Sequence, residues 1–309
     1  MRILVVGAAG FLGESVVRAC ARAGHEVRGL VRSSDQFARV TSAGGQPVLG
    51  DICVTESLSA PIAGCEVAIH LATRSRGTPA EMHTPRVLGC QALLSAAERA
   101  GVRHVVIGSG YWLYRDSPAM LTEESPIQPT GMPGINFATE EVARHAARAG
   151  TIEAVVVRPG MVYGNGSWFR EMVDELRAGT YQYIGDGSSY WSPISLEDTG
   201  EAFRTVCERW TPGETYLAVD DAPVTSRELA TFVATRIGSP PPRTLEREAA
   251  RREWGAEVAD LIAASRRASN AKLKKLGWAP RFASYTVGMP ELLRTMAMPP
   301  SQSATRTEP

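Results

Sequence analysis

Along the chain, short and mostly apolar blocks alternate with longer stretches in which apolar positions recur every three or four residues. The blocks are Ile3–Val6, Val27–Val31, Pro47–Leu49, Val67–Leu71, His104–Ile107 and Ala154–Val157. Blocks this short with little alternation predict strands covered on both faces. The stretches between them, 11–23, 34–43, 86–100 and 136–149, carry helical periodicity. Strand–helix alternation predicts an α/β fold built on a Rossmann-type, doubly wound parallel sheet.

Beyond residue 164 the rhythm changes. Residues 168–178, 226–237 and 246–264 read as helices, 215–219 as a strand, and "GSPPP" at 238–242 as a breaker. The expected organisation is a dinucleotide-binding domain at 1–164, rejoined by 188–221. A smaller C-terminal substrate lobe is expected at 165–187 and 222–297. The Pro/Ser/Thr-rich tail 298–309 is expected to be unstructured. No internal repeat is visible.

Composition narrows the function. The 309 residues are 44% hydrophobic and 21% charged, the profile of a packed globular chain. Lys+Arg and Asp+Glu are both 33, so the formal net charge is zero and nothing favours a nucleic-acid partner. No apolar run nears the roughly 20 residues of a membrane helix. The N-terminal run is broken by three glycines and Glu14, which favours strand–turn–helix over a leader. Cys20, Cys53, Cys65, Cys90 and Cys207 are scattered, with no metal-ligand spacing. A cytoplasmic setting and no metal are expected.

The most informative stretch follows the first block. Gly7, Gly10 and Gly13 form G-x-x-G-x-x-G between a strand and a helix. Such glycines permit a tight turn, close approach of backbone to a pyrophosphate, and close helix–strand packing. The helix N-terminus adds free N–H groups and a positive dipole end. Gly7, Ala9, Gly10, Phe11, Leu12 and Gly13 are therefore expected to hold a dinucleotide. After the second block stand Arg32 and Ser33, with no acid for a ribose 2′-hydroxyl. Arg32 can fork onto a 2′-phosphate, which favours NADP, with NAD the alternative.

These residues, with "GDI" (50–52), "IHLAT" (69–73), "VLGCQALLSAAERAGVRHVVIGSG" (87–110), "LTEESPIQP" (121–129), "VVVRPGMVYG" (155–164), "IGDG" (184–187), "ISLEDTGEAF" (194–203) and "KLKKLGWAPRF" (272–282), carry a resemblance. The chain resembles an extended short-chain dehydrogenase/reductase of the NAD(P)-dependent epimerase/dehydratase type. The resemblance implies a cofactor lined by Asp51 and Ile52 at the adenine end and by Leu71, Ala72 and Thr73. It implies Ser109 near the reacting carbon, and Pro159 to Met161 near the nicotinamide. It implies a small-molecule substrate between two lobes, and a homodimer is the candidate assembly.

The chain departs from that family at the reacting pair. The family's Tyr-x-x-x-Lys moves a proton and holds the cofactor ribose. In "GMPGINFATEEVARHAA" (131–147), anchoring on Glu140 puts Met132 and Asn136 there, and anchoring on Glu141 puts Pro133 and Phe137. Met has no proton to give; Asn136 can hydrogen-bond the cofactor ribose but carries no charge. Replacement acids to weigh are Tyr111, Tyr114 and Tyr163, each otherwise a packing residue, and Ser109 remains to polarise a carbonyl. His83 is expected in an irregular loop, 74–85, able to overhang a substrate. Where nucleotide-sugar relatives carry a phosphate-gripping Arg stands Trp191, beside Tyr190. These two either wall a pocket for a substrate that is not a nucleotide sugar or fill the core between lobes. Three functions follow: a reductase or epimerase with a displaced proton donor; a non-redox cyclase, isomerase or dehydratase; and a non-catalytic NADP(H) sensor.

Overall fold

In the computed structural model, which describes residues 1–74 and 78–297, the apolar blocks become one sheet. Its strands are β1 (Arg2–Val6), β2 (Glu26–Val31), β3 (Gln46–Leu49), β4 (Val67–His70), β5 (His104–Gly108), β6 (Glu153–Pro159) and β7 (Thr215–Ala218). They run parallel in the order β7-β6-β5-β4-β1-β2-β3. Four helices matter for the site: α1 (Phe11–Arg22), α2 (Gly89–Ala100), α3 (Gly131–Arg148) and α4 (Leu196–Glu208).

Strand β1 explains why its block is apolar throughout. Side chains leave a strand alternately on its two faces. Ile3 and Val5 pack with Val16, Val17 and Cys20 of α1 and with Phe203 and Val206 of α4. Leu4 and Val6 pack with Leu93 and Leu94 of α2 and with Ala143 of α3. Each such Val or Leu, fully buried, contributes ~1.5–3 kcal/mol. A polar residue at any of these positions would lose that and add a desolvation cost.

The strand order reverses between β1 and β4, so a crevice opens at the carboxyl ends of those strands. The other short strands pair in twos: Met161–Tyr163 with Pro193–Ser195, Tyr190–Trp191 with Val224–Thr225, Gln182–Ile184 with Arg243–Leu245, and Ser117–Leu121 with Arg266–Ala268. They surround a second apolar cluster that includes Phe169, Leu176, Leu229, Val233 and Leu293.

Several elements differ from the sequence expectation. The 136–149 helix starts at Gly131, so Met132 and Asn136 both lie on α3. Its first turn is capped from a distance, since Glu257 Oε1 accepts the Met132 N–H at 2.9 Å. In the 74–85 segment, of which 75–77 lie outside the described residues, 79–85 are helical: Thr78 and Glu81 form a capping box for Pro79–His83. That turn runs into a π-helical turn, Thr84–Leu88, and then into α2. The 246–264 helix is broken at Gly255, whose φ of +86° ends Arg247–Trp254 before Ala256–Ala263 begins. The tail 298–309 lies outside the described residues.

Candidate active site

The crevice begins at the glycine turn. Gly7 has φ +86°, and a Cβ there would stand 2.8 Å from the Ala72 backbone N, just past β4. A Cβ on Gly13 would stand 2.0 Å from the Gly7 carbonyl oxygen. Only glycine allows α1 to start this close to β1. The Gly10 N–H donates to the Gly7 carbonyl at 3.0 Å, and no side chain caps α1. The first-turn N–H groups of Phe11, Leu12 and Gly13 are therefore left for an anion. Ala9 is buried behind the turn, and Phe11 closes one side of it against Gly164 and Gly166. This backbone cradle, which a Cβ would fill, fits a dinucleotide pyrophosphate.

Toward β2, Arg32 and Ser33 are exposed, and no side chain pairs with the Arg32 guanidinium among the described residues. Gln36 Oε1 accepts the Arg32 backbone N–H at 3.2 Å. Arg32 is close enough to the Cys53 thiol to act on it electrostatically, which brings it to the Asp51 loop. Asp51 Oδ1 accepts the Cys53 N–H at 2.9 Å, while Ile52 is buried against Gly89. At the end of β4, Leu71 is buried, Ala72 half-buried and Thr73 exposed. Pro159 ends β6 beside Ala218, and the Met161 N–H donates to the Ser192 carbonyl at 2.8 Å.

On the face of the sheet opposite α1 stands α3. Glu140 is wholly buried and receives the Arg158 fork, Nε to Oε1 at 2.9 Å and Nη2 to Oε2 at 2.7 Å. Arg144 adds a third bond at 2.7 Å. Burial pushes the Glu140 carboxyl up, but the Arg158 bonds and charge overcome it and hold the group below its usual range. Ser109, just past the end of β5, stands beside this carboxylate with its Oγ buried, and its hydroxyl helps hold the carboxylate ionised. One turn before Glu140, Asn136 Oδ1 accepts from Arg86 Nε at 2.9 Å. Arg86 Nη2 donates to the Gly108 carbonyl at 3.0 Å. Burial lowers the Arg86 pKa to about 10, still charged at neutral pH. Met132, a further turn back, is exposed. Burial and bonding thus put the face of Glu140, rather than half-buried Glu141, toward β5 and β6.

The three phenols named from the sequence are all buried. Tyr114 accepts from Arg158 Nη1 at 2.7 Å and donates to the Glu123 carbonyl at 3.3 Å. Burial, only partly offset by Arg158, pushes its pKa up to about 12. Tyr111 and Tyr163 have buried hydroxyls, Tyr111 facing the Ser192 backbone, and burial raises both. The Tyr163 hydroxyl is packed where Gly288 lacks a side chain. Trp191 is buried, donates to the Ile262 carbonyl at 3.3 Å and meets Trp168 edge-on at 6.1 Å between centroids. Tyr190 is half-buried beneath the Arg267 guanidinium, 4.7 Å from its ring centre. His83 ends the Pro79–His83 turn, half-buried. His70 donates Nε2–H to the Arg86 carbonyl at 2.9 Å, and burial lowers its pKa to about 4.

Two functional features were not read from the sequence. Arg86 sits on the stripe Arg86, Cys90, Leu93, Leu94, Ala97, all buried. A lone charge at the head of such a stripe is the signal that marks it. Arg158 interrupts the apolar β6 block in the same way.

The sequence profile of the NAD dependent epimerase/dehydratase family matches residues 3–218. A 4-hydroxy-2-methyl-3-oxo-4-farnesyl-3,4-dihydroquinoline-1-oxide ketoreductase from Stigmatella aurantiaca is 32% identical over 247 residues, covering 77% of this chain and 74% of that protein. Two solved structures share the fold. The dTDP-glucose 4,6-dehydratase DesIV of Streptomyces venezuelae, with NAD bound, superposes with TM-score 0.79 at 23% identity, covering 95% of this chain and 96% of that one. A human epimerase family protein with NADPH gives TM-score 0.79 at 21% identity, covering 95% and 99%. The chain belongs to the NAD-dependent epimerase/dehydratase family. It is an enzyme of the NAD(P)-dependent oxidoreductase and epimerase type, with a nicotinamide dinucleotide as cofactor. No helix among the described residues is long and apolar enough to cross a membrane.

Proposed function

We propose that the enzyme is an NADPH-dependent reductase of a ketone in a small organic substrate that is not a nucleotide sugar. The observation that carries this reading is the pair of polar groups just past the end of β5: the Ser109 hydroxyl beside the Glu140 carboxylate, and the Asn136 carboxamide. The likeness to a ketoreductase supports it. When bound, the nicotinamide supplies hydride to the carbonyl carbon. Ser109 and Asn136 hold the carbonyl oxygen and stabilise the charge that grows on it. Tyr111, Tyr114 and Tyr163 are buried with raised pKa values, so the proton that completes the alcohol comes from water. Arg32, exposed and unpaired among the described residues, takes the 2′-phosphate. Trp191 stands where an Arg would grip a nucleotide sugar and, with Tyr190 beside it, favours an apolar, ring-bearing substrate.

In this reading residues 1–164 with 188–221 hold the cofactor, and 165–187 with 222–297 form the substrate lobe. A cytoplasmic setting agrees with five free cysteines, four of them buried. A non-redox isomerase or dehydratase is the second reading, favoured by Met132 and Asn136 on the face where a proton-transfer pair would stand. Loss of reduced-nicotinamide absorbance with a panel of aromatic ketones and 3-oxo acids tests the choice. NADPH consumption matched to alcohol formation supports the reductase. Substrate conversion at constant absorbance moves the assignment to the second reading.

A further inference from the structure

Arg86 is a buried cation with no carboxylate in ion-pair range among the described residues. Glu140, an acid whose charge reaches it, is already shared by Arg158 and Arg144. A buried charge without a counter-charge is expensive, so its retention points to a ligand that benefits from it. The backbone around it is unusual too. Arg86 lies inside the π-helical turn Thr84–Leu88, a distortion concentrated at functional sites. The carbonyl of this residue is taken up by His70 Nε2 from β4. The turn aims the guanidinium at the ends of β5 and α3, where it meets Gly108 and Asn136.

Because a guanidinium only donates, Asn136 must turn Oδ1 toward it. The Nδ2 group is then fixed on the other side, where it makes no hydrogen bond among the described residues. It lies over Gly110, where even a Cβ would be 3.4 Å away. Resting on the reductase reading, we propose that Arg86 is a positioning residue. It locks the Asn136 carboxamide so that Nδ2 donates to an oxygen of the molecule in the crevice, and it polarises that donor. The ligand group recognised is an acceptor oxygen, a hydroxyl or carbonyl, and not a donor.

The test is a set of variants read by NADPH fluorescence titration, ketone-reduction kinetics and thermal melting. Arg86→Met and Asn136→Ala should each weaken NADPH binding or ketone kcat/KM about tenfold, the loss of one charge-assisted hydrogen bond. The double variant should be no worse than either single one, because the two act as a unit. Asn136→Asp should melt no lower than the wild type, having gained an ion pair with Arg86, yet lose the same tenfold because it no longer donates. Asn136→Lys should be harmful beside Arg86 and should restore function in the Arg86→Met background. Additive losses, or an Asn136→Asp variant as active as the wild type, overturn the proposal. Asn136→Ala and Asn136→Asp keep Arg86 in place, so the test stands even if Arg86→Met fails to fold. A wild-type protein that binds NADPH while these variants match it refutes the role of Arg86 alone. A wild type that ignores NADPH refutes the reductase reading instead.

Discussion

Replacing Glu140 with Gln removes the only carboxylate that Arg158 contacts among the described residues while keeping the side chain's shape. Both partners are essentially dry, Glu140 at 0% and Arg158 at 3% exposure. Three guanidinium bonds converge on the carboxylate, from Arg158 twice and Arg144 once. In the variant one oxygen becomes an NH2 facing donors, and Arg158 keeps its charge without a counter-ion. Removing one member of a buried pair costs about 3–5 kcal/mol. For a chain this long, ~2–3 °C of melting temperature per kcal/mol gives a drop on the order of 10 °C. Urea unfolding at neutral pH measures it. A Glu140→Met, Arg158→Met double variant should lose less than Glu140→Gln, since no charge is stranded.

The pH dependence supplies an independent sign. The Glu140 carboxyl titrates lower in the folded than in the unfolded chain. Its contribution is therefore complete above the unfolded carboxylate pKa and is lost as pH falls through the folded value. The stability gap between wild type and Glu140→Gln should shrink in acid. A neutral-pH gap below about 0.5 kcal/mol, or one that widens in acid, refutes the role given to the pair.

Gly13→Ala should prevent α1 from seating on β1, because its Cβ meets the Gly7 carbonyl at 2.0 Å; low soluble yield or a large fall in melting temperature checks this. Arg32→Ala should weaken NADP binding about tenfold or more and leave NAD binding nearly unchanged, as calorimetry can read. Equal losses for both would remove the 2′-phosphate role. His70 titrates near 4 when folded against 6.5 in its ordinary state, so the unfolded chain binds more protons between those values. Stability should fall as pH drops across that window, by about 3 kcal/mol at ~1.4 kcal/mol per pH unit, and His70→Asn should flatten this slope.

The sheet was legible because a strand buried on both faces must be apolar at nearly every position, as β1, β5 and β6 are. The glycine turn was legible because steric exclusion by a Cβ leaves no other residue at Gly7 or Gly13. Less visible were features set by distant partners. The start of α3 was hidden because Gly131, Pro133 and Gly134 are poor helix formers; the cap that starts the helix comes from Glu257, far along the chain. The π-helical turn at Thr84–Leu88 has no periodicity of its own, and His70 anchors it from another strand. The pairing of Ser117–Leu121 with Arg266–Ala268 joins segments with little alternation. Whether Trp191 walls a pocket or fills a core depends on Trp168 and Ile262, which its sequence neighbours do not announce.

Calorimetric titration of the purified protein with NADPH bears most directly on the glycine cradle and on everything placed around it. One saturable event per chain is expected, tighter than about 100 µM and tighter than for NADH. Absence of heat with both dinucleotides at millimolar concentration would contradict it.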